Sequence, residues 1–248
     1  MSVHSKLVTL ILALTLDGQV HTGRIYGGHE AVPHSRPYMA HVQGHRQEGK
    51  GQTCGGFLLN EDFVMTAAHC QEKADTVLLG LHNVHNHTNV QNISVEQAFP
   101  HKDFNTNDYT NDIMLLKLSS KAQINKNVKS IPLADKSDDS LPKSCTVCGW
   151  GRTSKDTCHM SPILMEVNVT LTEEPCKDHS YCSKGEKGPR QGDSGGPLVC
   201  EDGKVFGVVS TESKPDSDDK KVYAYTKIPD YVEWIESVIK KATMLKFM

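Results

Sequence analysis

The sequence predicts a mostly β protein, and three observations carry that expectation. Apolar residues come in short runs, such as residues 57–59, 63–65, 113–118 and 205–209, with Gly, Pro, Asn or Asp between them. Runs of that length bounded by turn residues match packed strands, whereas a helix needs a longer apolar stripe. Only the C-terminal segment has a helical period, with Ile235, Val238 and Ile239 recurring on one face. Asp230 and Glu233 resemble a capping box at its start, and Lys240 and Lys241 suit its negative end. Finally, no internal repeat or low-complexity tract interrupts the 248 residues, which are enough to bury a substantial core.

The N-terminus points to export. Lys6 precedes an apolar stretch over residues 7–16, the length of a signal-peptide core. It is well short of the roughly 20 residues that span a bilayer, and no later stretch is long enough for a membrane anchor. Cleavage is expected somewhere between residues 16 and 23; the competing reading is a buried N-terminal helix. In an exported chain the eight cysteines should mostly be bridged, although spacing alone does not choose the pairing.

The most informative segment is QGDSGGPLVC, residues 191–200. Ser194 is its candidate nucleophile, but a serine hydroxyl is inert at neutral pH unless a base takes its proton. His69, in VMTAAHC (64–70), is the candidate base, because imidazole titrates near neutrality. Asp112, in NDIMLLKL (111–118), is the candidate orienting group that would hold the imidazole tautomer and stabilise its protonated form. Taken singly, a histidine beside a cysteine and an Asn-Asp pair before an apolar run are ordinarily structural. Their joint occurrence in the order His, Asp, Ser is what gives them chemical meaning.

With IYGG, TAAHC, NDIMLL, CGWG and GDSGGP in one chain, the sequence resembles the chymotrypsin-fold serine proteases from Ile25 to about Ala242. The resemblance implies two six-stranded antiparallel β-barrels with the active site between them, followed by a C-terminal helix. It divides the chain into a signal peptide with a short activation propeptide (1–24), a protease domain (25–242) and a tail (243–248). It assigns the oxyanion hole to the backbone N–H groups of Gly192 and Ser194, and makes Ser210 a support for Asp112. It pairs Cys54 with Cys70, Cys145 with Cys200 and Cys176 with Cys182. Cys148 and Cys158 are left over, to bridge each other or stay free, the bridge being favoured.

The resemblance also implies a zymogen. Cleavage after Arg24 would free the ammonium of Ile25 to pair with Asp193 and order the oxyanion hole beside it. The segment GGHEAVPHSRPYMAHVQ is similar to granzymes, cathepsin G and mast-cell chymases, as is Arg190 in place of a cysteine before the nucleophile loop. The implied protein is a secreted or granule-stored serine endopeptidase. It would act on protein or peptide substrates, be activated by a trypsin-like protease, meet serpin-type inhibitors, remain monomeric and need no cofactor. The alternative is a catalytically weak homologue that works by binding, in defence or signalling.

Two features depart from that branch. Gly23-Arg24 suits a trypsin-like activator, whereas branch members lose a short acidic dipeptide. The charge is also low: residues 1–24 carry Lys6, Arg24 and Asp17, so their removal takes the net charge from −3 to −4. Net charge therefore gives no support for binding nucleic acid or anionic proteoglycan.

The substrate pocket is the least familiar region. Gly188 falls where the family places its main selector for P1, the residue on the acyl side of the scissile bond, and no aspartate is there for a basic P1. Thr211 and Glu212 stand where an aromatic residue and a glycine are usual, and Tyr223 falls near the pocket floor. Glu212 has three expected outcomes: intrusion into the pocket, acceptance of a basic P1 group, or an outward turn. Asn86, Asn92 and Asn168 head glycosylation sequons, the first two expected in a polar loop and the third in a strand. His82, His85 and His87 lack a nearby Cys or carboxylate for a zinc set, and Glu96 alone is too little for calcium, so no metal is expected. The charged run from Asp216 to Lys221 reads as a solvated turn.

Overall fold

A computed structural model describes residues 27–44, 53–138, 140–153, 159–173, 177–214 and 220–244, apart from the Lys73 side chain. The chain enters through a two-residue strand, β1 (His29–Glu30), and then builds two β units. The first is a closed barrel of β2 (Met39–Gln43), β3 (Thr53–Asn60), β4 (Phe63–Thr66), β5 (Thr76–Leu79), β6 (Gln91–Pro100) and β7 (Met114–Leu118). Its order is β2-β3-β4-β7-β6-β5, with every neighbouring pair antiparallel. The four short apolar runs read from the sequence lie in or overlap β3, β4, β7 and, in the second unit, β12 (Val205–Ser213).

The second unit adds β8 (Cys145–Gly149), β9 (Met165–Val169), β10 (Ser180–Gly185), β11 (Pro197–Cys200) and β13 (Lys221–Lys227) to β12. They run β9-β8-β11-β12-β13-β10, with β1 as a seventh strand on the outer edge of β9. The six curl toward closure where Leu171, just past β9, bridges Ser183 in β10. Within β9, Met165, Val167 and Val169 are buried while Asn168 faces water, the period of two expected of a half-buried strand.

Closure of the first barrel removes its sheet edges, and its apolar interior is continuous with Cys148, Trp150, Leu164, Val205 and Val208 of the second unit, which also holds a separate cluster around Val147, Leu198, Phe206 and Tyr225. A 3-10 turn (Ile228–Tyr231) leads into the single helix α1 (Val232–Met244), whose Ile235 and Ala242 bury into the cluster of the first barrel. The helix thus straps the second half of the chain onto the first. The capping box expected at its start is not used. Asp230 lies inside the 3-10 turn, where it binds His179 at 2.8 Å and Lys227 at 3.4 Å, and Glu233 reaches Lys136 at 2.6 Å.

Disulfides tie the site-bearing elements. Cys54 in β3 is bridged to Cys70, and Cys145 in β8 to its cross-strand neighbour Cys200 in β11. Cys182 is disulfide-bonded, while Cys176, its expected partner, lies outside the described residues, as does Cys158. Cys148 is a free, buried thiol, so the favoured Cys148–Cys158 bridge is replaced by the other alternative. The cause is its position in β8 opposite Glu166: the thiol sits inside among Arg36, Tyr38 and Glu166, and burial pushes it up to about 12.

All three sequon asparagines are exposed, although Asn92 lies in β6 rather than in a loop. Of the loop histidines, His82 does meet a carboxylate, Glu30 at 3.1 Å, brought from far away in sequence. Among the described residues, the three do not converge on a ligand set.

Candidate active site

The two units meet through a backbone hydrogen bond, and that bond places Ser194. The Gly55 N–H of β3 donates to the Ser194 carbonyl at 2.8 Å, which pins the turn after Gly192 against the first barrel. The approach is too close for side chains. A Cβ on Gly195 would come within 2.0 Å of the Thr66 hydroxyl and 2.5 Å of the Gly55 carbonyl, and its φ of +82° also favours glycine. Gly192, at φ +99°, leaves room for Met160 and Gly151, which a Cβ would meet at 2.9 and 3.0 Å. The GDSGG pattern is therefore a requirement of packing as well as of chemistry.

His69 sits in a 3-10 helix (Ala68–Lys73) directly after β4, beside the Cys54–Cys70 bridge. Asp112 precedes β7 and is fully buried. It holds His69 twice: one carboxylate oxygen accepts the His69 backbone N–H at 2.9 Å, and the other lies 2.7 Å from the ring Nδ1. The Ser210 hydroxyl donates to that second oxygen at 2.6 Å, and the Thr226 hydroxyl donates to the Asp112 carbonyl at 2.9 Å. A buried carboxylate is tolerable only when so satisfied. The ring Nδ1 is thereby set as the N–H, which leaves Nε2 to accept a proton. Tyr109 covers the His69 ring edge-on, with 5.5 Å between centroids.

His69 and Ser194 line one cleft of about 420 Å³ at the junction of the two units. Of the sequence-derived candidates, His69, Ser194 and Ser210 line this cleft, Asp112 lies behind it bonded to His69 and Ser210, and Gly192 precedes Ser194 in the nucleophile turn. Asp193 points the other way, into the interior, where its carboxylate accepts the N–H groups of Gly151 at 2.7 Å and Arg190 at 2.8 Å. Burial pushes it up to about 7, although those bonds and the Arg190 guanidinium pull it down. Gly149 and Gly151 form its walls; a Cβ on either would strike the carboxylate, at 2.1 and 2.6 Å. Both glycines were visible in CGWG, but nothing in the sequence tied them to Asp193. Arg24 and Ile25 lie outside the described residues.

The pocket departs most from expectation. Gly188 and Tyr223 do not line the cleft. The Tyr223 ring is fully buried against Gly188, where a Cβ would come within 2.5 Å of it. Above the ring lies the Arg190 guanidinium, 5.5 Å from its centroid. Glu212 takes none of the three expected roles simply: its carboxylate bridges Arg190 at 2.6 Å and Lys221 at 2.8 Å across the mouth of the pocket. The sequence marked Arg190 only as a missing cysteine, gave no sign of Tyr109 or Thr226, and put Lys221 in a solvated turn, whereas it opens β13 and pairs with Glu212.

Comparison with known proteins agrees with this arrangement. The family model described as Trypsin matches residues 25–235. Granzyme B of Rattus norvegicus is 38% identical over 252 residues, covering 96% of this chain and 100% of the relative. Mast cell protease 8 of Mus musculus is 38% identical over 251 residues, covering 94% and 96% respectively. The solved structure of GrC superposes with a TM-score of 0.76 at 35% identity, covering 87% of this chain and 100% of that one. Neuropsin, a serine protease expressed in the limbic system of mouse brain, superposes with a TM-score of 0.74 at 30% identity, with the same coverage. The chain belongs to the trypsin family and is a granzyme-like serine-type endopeptidase.

Proposed function

We propose that this protein is a secreted or granule-stored endopeptidase, made as a zymogen, that hydrolyses peptide bonds through Ser194, His69 and Asp112. The observation that carries the reading is the hydrogen-bonded chain from Ser210 through Asp112 to His69, opening into the cleft that Ser194 lines. In the first half-reaction the Ser194 Oγ attacks the scissile carbonyl carbon while His69 Nε2 takes its proton. Asp112, already bonded to Nδ1–H, stabilises the imidazolium that results. The carbonyl oxygen becomes an oxyanion that accepts the N–H groups of Gly192 and Ser194, each worth about 3–4 kcal/mol in such sites. Collapse breaks the C–N bond, His69 gives its proton to the leaving amine, and an acyl-Ser194 remains. Water then attacks the acyl carbon with His69 again as base, which releases the acid and restores the hydroxyl.

Activation follows from Asp193. In an uncut chain Ile25 is an amide and carries no charge, so the buried Asp193 carboxyl has little reason to ionise. Cleavage after Arg24 by a trypsin-like protease would create an ammonium at Ile25 to pair with it, fixing the neighbouring Gly192 and Ser194 amides. The apolar segment 7–16 supports export, and among the described residues no helix is long and apolar enough to cross a membrane. Protein substrates, serpin-type inhibitors and a monomeric state complete the reading.

The filled pocket behind Arg190 favours one other reading, a catalytically weak homologue that works by binding. Chain cut after Arg24, profiled on a peptide library beside Ser194→Ala, separates the two. Cleavage by wild type alone supports the endopeptidase; peptide binding without cleavage by either supports the homologue.

A further inference from the structure

Resting on the endopeptidase reading, we infer that Met160 is an oxidation site whose sulfoxide switches the protein off by disturbing the oxyanion donor Gly192. Met160 is 39% exposed, and its thioether packs against the nucleophile turn. A Cβ on Gly192 would come within 2.9 Å of the Met160 Sδ and 3.3 Å of its methyl carbon, so the sulfur lies against the Gly192 backbone. Backbone contacts fasten it there. Met160 forms an antiparallel bridge with Arg152, whose N–H donates to the Gln191 carbonyl at 2.9 Å. The next residue, Ser161, donates its N–H to the carbonyls of Trp150 and Gly151, each at 3.1 Å. Gly192 has no side chain to fix its φ of +99°, so the groups packed on it do so.

The fold makes the site selective. Met39, Met65, Met114 and Met165 are buried in the core, and burial keeps the Cys148 thiol protonated and unreactive. Among the described residues, the accessible methionines are Met160 and Met244, and Met244, 59% exposed, ends α1 and does not line the cleft. The oxidant is a peroxide. The Met160 sulfur lone pair attacks one peroxide oxygen and the O–O bond breaks. The proton of the new S–OH passes to the departing hydroxide, which leaves as water; the sulfur loses two electrons and the peroxide gains them. The product is polar where the thioether was apolar. Left in place, its oxygen accepts hydrogen bonds beside the amide that the oxyanion needs; turned out to water, it strips the packing from Gly192. Both outcomes weaken one oxyanion donor, and a donor of that kind carries about 10²- to 10³-fold in turnover.

The test uses the full-length chain cut after Arg24, treated with hydrogen peroxide, and reads the rate at which a fluorophosphonate probe labels Ser194. Peptide mass mapping follows the gain of one oxygen at each methionine. The labelling rate should fall about tenfold or more, in step with oxidation of Met160 and not of Met244. Met160→Leu, a swap that conserves volume, should keep its own rate through the same treatment, while Met244→Leu should lose activity as wild type does. Methionine sulfoxide reductases acting on both epimers should restore the wild-type rate. The time course and the repair still decide the matter if Met160→Leu does not fold. Oxidation of Met160 without loss of rate overturns this inference alone. So does an equal loss in Met160→Leu, or a Met160 that stays reduced while Met244 is oxidised. Absence of labelling in untreated cut wild type overturns the endopeptidase reading and this inference with it.

Discussion

The buried Asp193 makes a quantitative link between activation and stability. Its carboxyl stands at about 7 where an unperturbed one titrates at 3.8, and desolvation is the largest cause. That difference corresponds to about 4 kcal/mol for ionising the group inside the fold. With the native value raised above the unfolded one, the native state binds more protons between pH 4 and 7. Stability from this group is fully present below about pH 4 and is lost as pH rises through about 7. The uncut chain should therefore lose up to about 4 kcal/mol between pH 4 and pH 8 through Asp193, on the order of 10 °C in Tm for a chain of this size. On the proposed activation, cleavage after Arg24 would supply an ammonium at Ile25, bring the carboxyl down and remove most of that loss. Urea unfolding of Ser194→Ala protein, uncut and cut, at pH 4.5, 6 and 8 measures both slopes without self-digestion. Adding Asp193→Asn isolates the group, since an amide does not titrate and its lost hydrogen bond costs the same at every pH. Equal pH dependence in uncut, cut and Asp193→Asn proteins would refute the reasoning.

Three further outcomes follow from individual contacts. Asp112→Asn should lower turnover about 10⁴-fold by presenting the wrong His69 tautomer, and Ser210→Ala about 10- to 100-fold by removing a charge-assisted bond, both read from kcat in a peptide assay. Gly188→Ala should destabilise the fold by about 1–3 kcal/mol in urea unfolding, because its Cβ would overlap the Tyr223 ring. The Cys148 thiol, buried and pushed up to about 12, should resist iodoacetamide at pH 8 in native protein and react after unfolding, as read by peptide mass mapping.

What was legible in the sequence was what short segments encode. Residues 57–59, 63–65, 113–118 and 205–209 revealed strands because burial on a pleated sheet leaves a local apolar pattern. Ser194, His69 and Asp112 were legible because the close approach of Gly55 to the nucleophile turn, and the elements that carry each residue, leave distinctive local motifs. Contacts made across strands or between loops were not legible. Tyr223 lies opposite Glu212 only through the β12–β13 register, which shifts between Val209 and Thr211. Arg190 meets both through a loop whose backbone is committed to Asp193. Tyr109 reaches His69 from a loop with no motif. Cys148 could be placed as free only once β8 was seen to turn it toward Arg36 and Glu166. The Asp230 capping box failed for a similar reason, since His179 and Lys227 claim the carboxylate.

The central claim is that Ser194 is a nucleophile activated by His69 and switched on by cleavage after Arg24. Its most direct measurement is the rate at which a fluorophosphonate probe labels uncut chain, cut chain and cut His69→Ala protein, with Ser194→Ala as the blank. The account predicts rapid labelling of the cut chain at Ser194, slow labelling of the uncut chain and of His69→Ala, and none of Ser194→Ala. Equal labelling before and after cleavage would contradict the zymogen switch, and no labelling of the cut chain would contradict the claim itself.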